Sequence, residues 1–159
     1  AQQASAVDPE RVVVLTQTTL SLDDTRVIIE SLRQKFPKII TPSKEDICYA
    51  TQNRQDAVKE LARAVNLILV IGSHNSENSY QLCRVARSLG TSAYLVNDFH
   101  EIDPAWLEGI ERVGITSGAS APERLVQETV DYFKQRGAEV TSIGFVEENI
   151  HFALPAEFQ

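Results

Sequence analysis

The feature that most constrains this chain is one stretch near its middle. Leu67-Ile68-Leu69-Val70-Ile71 is apolar throughout, Gly72 follows, residues 73–79 are polar, and a helical pattern runs over 80–89. A short apolar run closed by a glycine reads as a buried strand. A strand that opens through a turn into a helix is the βα unit of an α/β fold. Ligands of such folds gather outside the carboxyl ends of the strands. The turn here, Gly72-Ser73-His74-Asn75-Ser76-Glu77-Asn78-Ser79, offers hydroxyls and amides but neither lysine nor arginine.

The same period recurs along the chain. Residues 11–16 are rich in β-branched side chains and read as a strand. Ser21, with Asp24 three residues on, fits a capping box for a helix over 22–35, and Val27, Ile28, Ile29 and Leu32 supply its apolar stripe. Pro37 ends that helix. Thr51 is the expected cap of a helix over 52–64, with Ala57, Leu61 and Val65 turned inward. Further strands are expected over 92–96 and 112–116, with a short helix opening at Asp103-Pro104 between them. A helix follows Pro122, its apolar face built from Leu125, Val126, Val130 and Phe133. Gly90 and Gly137 stand where helices stop. Two β-like pieces, 139–145 and 149–153, close the sequence. The alternation predicts an α/β fold, a parallel sheet with flanking helices.

Bulk properties narrow the class. With 159 residues, 43% hydrophobic and 23% charged, the chain can build the core of one domain, or of one domain and part of another. A net charge of −7 argues against nucleic acid and anionic membrane as partners, since both select basic faces. No run approaches the ~20 apolar residues of a membrane span. The opening residues lack the charged and apolar regions of a signal peptide. The two cysteines, Cys48 and Cys83, are far apart and outside any CxxC pair. The chain therefore reads as cytoplasmic, with reduced thiols.

Three strand-end turns, 17–19, 73–79 and 116–120, share one chemistry, and a parallel sheet brings such turns to one edge. Hydroxyls, amides and free N–H groups at helix N-termini suit an anion such as phosphate without cationic side chains. Taken singly, each turn reads as an N-cap, which favours the same residues; their repetition points to a pocket. Cys48 precedes a helix, where a thiol's pKa falls. Nucleophile, metal ligand and inert buried thiol all remain open for it. Cys83, beside Leu82, Val85 and Ala86, reads as core packing. His74, His100 and His151 lack metal-ligand spacing, and His74 is expected as an exposed loop residue.

Four segments together carry a resemblance. They are Thr16-Gln17-Thr18-Thr19-Leu20-Ser21-Leu22-Asp23-Asp24-Thr25, Asp46-Ile47-Cys48-Tyr49-Ala50-Thr51-Gln52-Asn53-Arg54-Gln55, the turn from Gly72 to Ser79, and Thr116-Ser117-Gly118-Ala119-Ser120-Ala121-Pro122. In order and spacing they closely resemble the 4-hydroxy-3-methylbut-2-enyl diphosphate reductases, which end the methylerythritol phosphate route to isoprenoids. Glu147-Glu148-Asn149-Ile150 resembles the tail of the same family. The resemblance covers nearly the whole chain. It implies an oxygen-sensitive oxidoreductase with three α/β modules around a 4Fe–4S cluster, held by three cysteines, one per module. Two electrons from a ferredoxin or flavodoxin reduce the allylic C–O bond of a diphosphate substrate, giving isopentenyl and dimethylallyl diphosphate. By the same resemblance Cys48 matches the third cluster cysteine. Ser76, Asn78 and Ser120 match residues that hold the diphosphate. Thr18 matches a threonine near the substrate hydroxyl, where a proton is delivered. The family's other two cluster cysteines, its diphosphate-binding histidines and its proton-donating glutamate have no counterpart here. Glu77 stands where the family commonly has serine, and a carboxylate turned inward there would repel a diphosphate.

On this reading residues 1–44 end a second module, 45–137 form a third, and 138–159 are a tail. The partner is the N-terminal half of the same enzyme, and the chain alone is inactive. The alternatives are a cluster-free α/β module that binds a phosphorylated ligand, and one subunit of a split enzyme. In a full-length enzyme carrying this sequence, Cys48→Ser should abolish retention of iron and sulfide. Cys83→Ser should retain both and cost only the stability of a core substitution. Equal loss of iron in the two variants reverses the assignment.

Overall fold

The computed structural model describes residues 1, 3–41 and 49–143. Three strands, β1 (Leu67–Ile71), β2 (Ser92–Val96) and β3 (Val113–Ser117), form a parallel sheet in the order β2-β1-β3. Both ladders run the full five residues of β1, from Leu67 opposite Ser92 and Val113 to Ile71 opposite Val96 and Ser117. β1 is central, and all five of its side chains are buried. That explains why it is an unbroken apolar run rather than an alternating one.

The two faces of the sheet are covered differently. The helices α2 (Tyr49–Ala64) and α3 (Glu77–Ser88) cover the face of Ile68, Val70 and Ala93, with Val58, Ala62, Leu82, Cys83 and Ala86 in that core. Two 3-10 turns, Phe99–Glu101 and Pro104–Leu107, and the helix α4 (Glu123–Lys134) cover the face of Leu67 and Leu69. There Tyr94 stacks on Trp106 with ring centroids 3.9 Å apart. Gly114 faces α2: a Cβ at that position would meet the side chain of Leu61 at 2.7 Å, so the glycine lets the helix lie close to the sheet. Gly90 and Gly137 adopt φ of 85° just past α3 and α4, the left-handed stop expected of them. Among the described residues no helix is long and apolar enough to cross a membrane.

The first helix, α1 (Leu22–Lys35), has the predicted bounds, and Ser21 Oγ accepts from the Asp24 N–H at 3.2 Å. Its surroundings differ from expectation. Val27 and Ile28 are exposed, at 70% and 49%, and Leu22 is its buried residue. The strand expected over 11–16 is a single parallel bridge, Val13 to Ile40. Residues 13–16 line a shallow hollow with Ile28, Ile29 and Leu32 of α1, and Ile29 and Leu32 are half-buried there. Residues 139–143 are likewise not a strand, and the rest of the two expected closing pieces lies outside the described residues.

α2 also departs from expectation. It begins at Tyr49, so Thr51 is an interior residue, 4% exposed, rather than a cap. Leu61 and Val65 pack on the core as expected, but the fully buried line is Thr51, Gln55, Val58 and Ala62, and it contains two polar residues. Gln55 is fully buried because its amide has work on both sides. Its Nε2 donates to the Leu20 carbonyl at 2.9 Å, and its Oε1 accepts from the Leu22 N–H at 3.2 Å. A second link is the ion pair of Lys59 with Asp23, 2.9 Å apart. Gln55 thus fastens the start of α1 to α2. Gln55→Leu leaves one buried carbonyl and one buried N–H unpaired, and should destabilise the chain by about 2–4 kcal/mol in urea unfolding, with the slope unchanged.

Candidate functional site

Strand order decides where a site can form. The chain leaving β1 turns to the face covered by α3, whereas the chain leaving its neighbour β3 turns to the face covered by α4. Adjacent strand exits that diverge open a crevice between them at the carboxyl edge. The crevice lies between Gly72, after β1, and Gly118, after β3, whose N–H donates to the Ile71 carbonyl at 2.9 Å.

The N-terminus of α3 is wedged into this crevice. Ser76 is its cap, and Ser76 Oγ accepts from the Ser79 N–H at 3.3 Å and lies 3.0 Å from Ser79 Oγ, which donates to it. Ser79 is 1% exposed and sits between the two glycines: a Cβ on either Gly72 or Gly118 would overlap Ser79 Oγ. Both glycines are therefore required by space, not by backbone angle. Beside them lies Asn78, 8% exposed, with neither Nδ2 nor Oδ1 hydrogen-bonded, and its Nδ2 is 3.8 Å from where a Gly118 Cβ would be. A buried amide without partners is costly, about 1–3 kcal/mol, and is exceptional in a folded chain. The N–H groups of Glu77 and Asn78 have no carbonyl four residues back within the helix, as at any helix start. They add a partial positive charge to the same spot.

Of the other predicted residues among those described, only Ser120 is joined to this cluster through the sheet. Ser120 lies in the tight turn closed by the Ala121 N–H to the Gly118 carbonyl, 3.1 Å, two residues past the glycine that packs on Ser79. Thr18 is exposed in a separate turn, where the Leu20 N–H reaches the Gln17 carbonyl at 3.4 Å, and that turn leads into the Gln55 attachment on α2. Cys48 lies outside the described residues. It precedes α2, whose far end is fixed at the opposite edge of the sheet by Thr91 Oγ1 donating to the Ala62 carbonyl at 2.9 Å. The start of α2 is thus directed to the edge that carries the crevice.

Cys83 is sealed in the core, 1% exposed, and burial pushes its thiol up to about 11, which removes it from thiolate chemistry. Among the described residues no group of three or more His, Cys, Asp or Glu could hold a metal ion. The described residues by themselves do not make a cluster site.

Two further residues were not legible beforehand. Glu101 accepts from the Asn97 side chain at 2.6 Å and the Asn97 N–H at 2.8 Å, and its Oε2 lies 2.9 Å from His74 Nε2. These bonds, those from Asn97 foremost, hold its carboxyl below the usual range. His74, half-exposed, is therefore an anchor for the β1 turn as well as a loop residue. Glu77 turns outward along its helix, where Arg84 Nη1 donates to it at 2.8 Å. Ser79 was legible only as the last residue of the polar turn over 73–79.

These features define an α/β module with a cluster of small polar side chains between the exits of β1 and β3 at its carboxyl edge. A family model described as LytB protein matches residues 1–134, and the chain belongs to that family. Among its relatives, the 4-hydroxy-3-methylbut-2-enyl diphosphate reductase of Hahella chejuensis is 52% identical over 153 residues, covering 96% of this chain and 48% of that protein. The enzyme of the same name from Marinobacter nauticus is 50% identical over 159 residues, 99% of this chain and 50% of the other. The structure of the E-1-hydroxy-2-methyl-but-2-enyl-4-diphosphate reductase from Plasmodium falciparum superposes with a TM-score of 0.87 at 32% identity, over 99% of this chain and 50% of that one. The chain thus spans about half the length of the curated relatives it matches.

Gly118→Ala should cost roughly 1–3 kcal/mol through overpacking against Ser79. Adding Ser79→Ala should recover about 1 kcal/mol of that loss. Simple additivity of the two changes in thermal unfolding would show that the wedge is not where the cost arises.

Proposed function

We propose that this chain is the diphosphate-holding part of a 4-hydroxy-3-methylbut-2-enyl diphosphate reductase. The observation that carries the reading is the buried, unpartnered amide of Asn78 at the N-terminus of α3. A phosphoryl oxygen accepts from Asn78 Nδ2, from the free N–H groups of the first helical turn, and from the hydroxyls of Ser76 and Ser120. The helix dipole supplies the positive field that lysine or arginine would otherwise provide. In the relatives' reaction, two electrons and two protons replace the allylic hydroxyl with hydrogen and release water. Thr18 is the residue assigned to the hydroxyl end, where it holds a proton near the leaving oxygen. Cys48 would hold one iron of a 4Fe–4S cluster, and that group, loaded from a ferredoxin or flavodoxin, would supply the two electrons. The other thiolates belong to the part of the relatives' length that this chain does not span. Residues 1–44 are read as closing a neighbouring module, 45–137 as one complete module and 138–159 as a tail. The attachment of α1 to α2 through Gln55, rather than through the sheet, supports the first boundary.

A cluster-free binding module is the second reading, favoured by the fact that Ser76, Asn78 and Gly118 all come from this chain alone. Iron and sulfide analysis of the chain joined with the remainder of such a reductase separates the two readings.

Calorimetric titration with inorganic pyrophosphate tests the anion site directly. The chain should bind it, and Asn78→Leu should weaken binding roughly 10- to 150-fold, the worth of one hydrogen bond to a charged group. The free variant should be no less stable, because the orphaned amide is gone. Undiminished binding by Asn78→Leu, or none by the parent chain, overturns the assignment.

A further inference from the structure

We propose that Arg84 is a positioning residue that holds the Glu77 carboxylate away from the anion site, and so sets the affinity of that site. The proposal rests on the anion-binding reading given above. Glu77 is the first residue of α3, between the capping Ser76 and the buried Asn78. A carboxylate at a helix start is drawn to the same partial positive charge that attracts a bound anion. Left to itself, it would occupy the ligand's place at the helix terminus and repel the ligand as well. The structure removes that competitor. Arg84 Nη1 donates to Glu77 Oε1 at 2.8 Å and to Gln81 Oε1 at 3.2 Å. Residues 77, 81 and 84 follow one another along one side of the helix, so the guanidinium pulls the carboxylate down the helix and away from its start. Gln81, 5% exposed, fixes the arginine from the buried side.

The pair is solvent-exposed, with side chains 51% and 60% accessible, so its hold on the carboxylate is modest and falls as salt rises. The effect should be readable as a coupling between the two residues. Inorganic pyrophosphate is titrated into the parent chain, Arg84→Ala, Glu77→Gln and the double variant, at low and high salt. Arg84→Ala should weaken binding roughly two- to fivefold at low salt, the range of a single charge at a helix start. Glu77→Gln alone should bind as tightly as the parent or tighter, and in the double variant it should cancel the Arg84→Ala defect. Arg84→Lys should keep most of the affinity, since a charge at that place suffices.

An equal loss from Arg84→Ala in both backgrounds means that the arginine acts on the anion itself, and overturns the proposal. Unchanged affinity in Arg84→Ala overturns it too. Either result leaves the anion site standing. A parent chain that binds no pyrophosphate removes the site and this proposal together.

Discussion

The arrangement of the carboxyl edge depends on one close approach. Ser79 fills the space between Gly72 and Gly118, and no side chain of any size fits at either glycine while it does. This lets the start of α3 sink between two strand exits instead of lying above them. The consequence is that Asn78 is drawn below the surface without gaining a partner. Burial of a polar group that nothing satisfies is a loss in folding. It persists where the surrounding packing over-determines the position, and such positions concentrate at binding sites. Packing, helix start and orphaned amide are thus a single device.

The strands and helices around this device were largely readable from the sequence. β1 and β2 have their predicted bounds because each is a compact run closed by turn residues, and β1, flanked on both sides, has no reason to alternate. α1 was also bounded correctly by Ser21 and Pro37. What was read only in part was which side chains face inward: Leu61 and Val65 do pack on the core, but they flank its most buried line. On α2 the interior line holds Thr51 and Gln55, and polarity there concealed the true stripe. On α1 an apolar stripe signals what the side chains tolerate, not what covers them, and Val27 and Ile28 are left outside. Residues 11–16 have strand-forming composition but only one bridge to pair with, since propensity does not supply a neighbour.

The candidate site was legible as chemistry and not as geometry. The abundance of Ser, Thr and Asn at strand ends indicated neutral donors. Strand order, which no local pattern encodes, decided that the turns after β1 and β3 are adjacent. The same order leaves Thr18 on a different attachment, reached through α2 rather than through the sheet. Glu101 had no signal at all. Its role depends on the exit of β2 lying beside the turn after β1, a relation set only when the sheet has formed.

That relation has a consequence for how the turn behaves. Residue 74 is tied through the Glu101 carboxylate to Asn97, just past the neighbouring strand, while Ser79 pins the other end of the same loop under Gly118. A loop restrained at both ends surrenders little configurational freedom when a guest arrives. The entropy of ordering it was spent when the protein folded, so the free energy of each new contact is left to hold the guest.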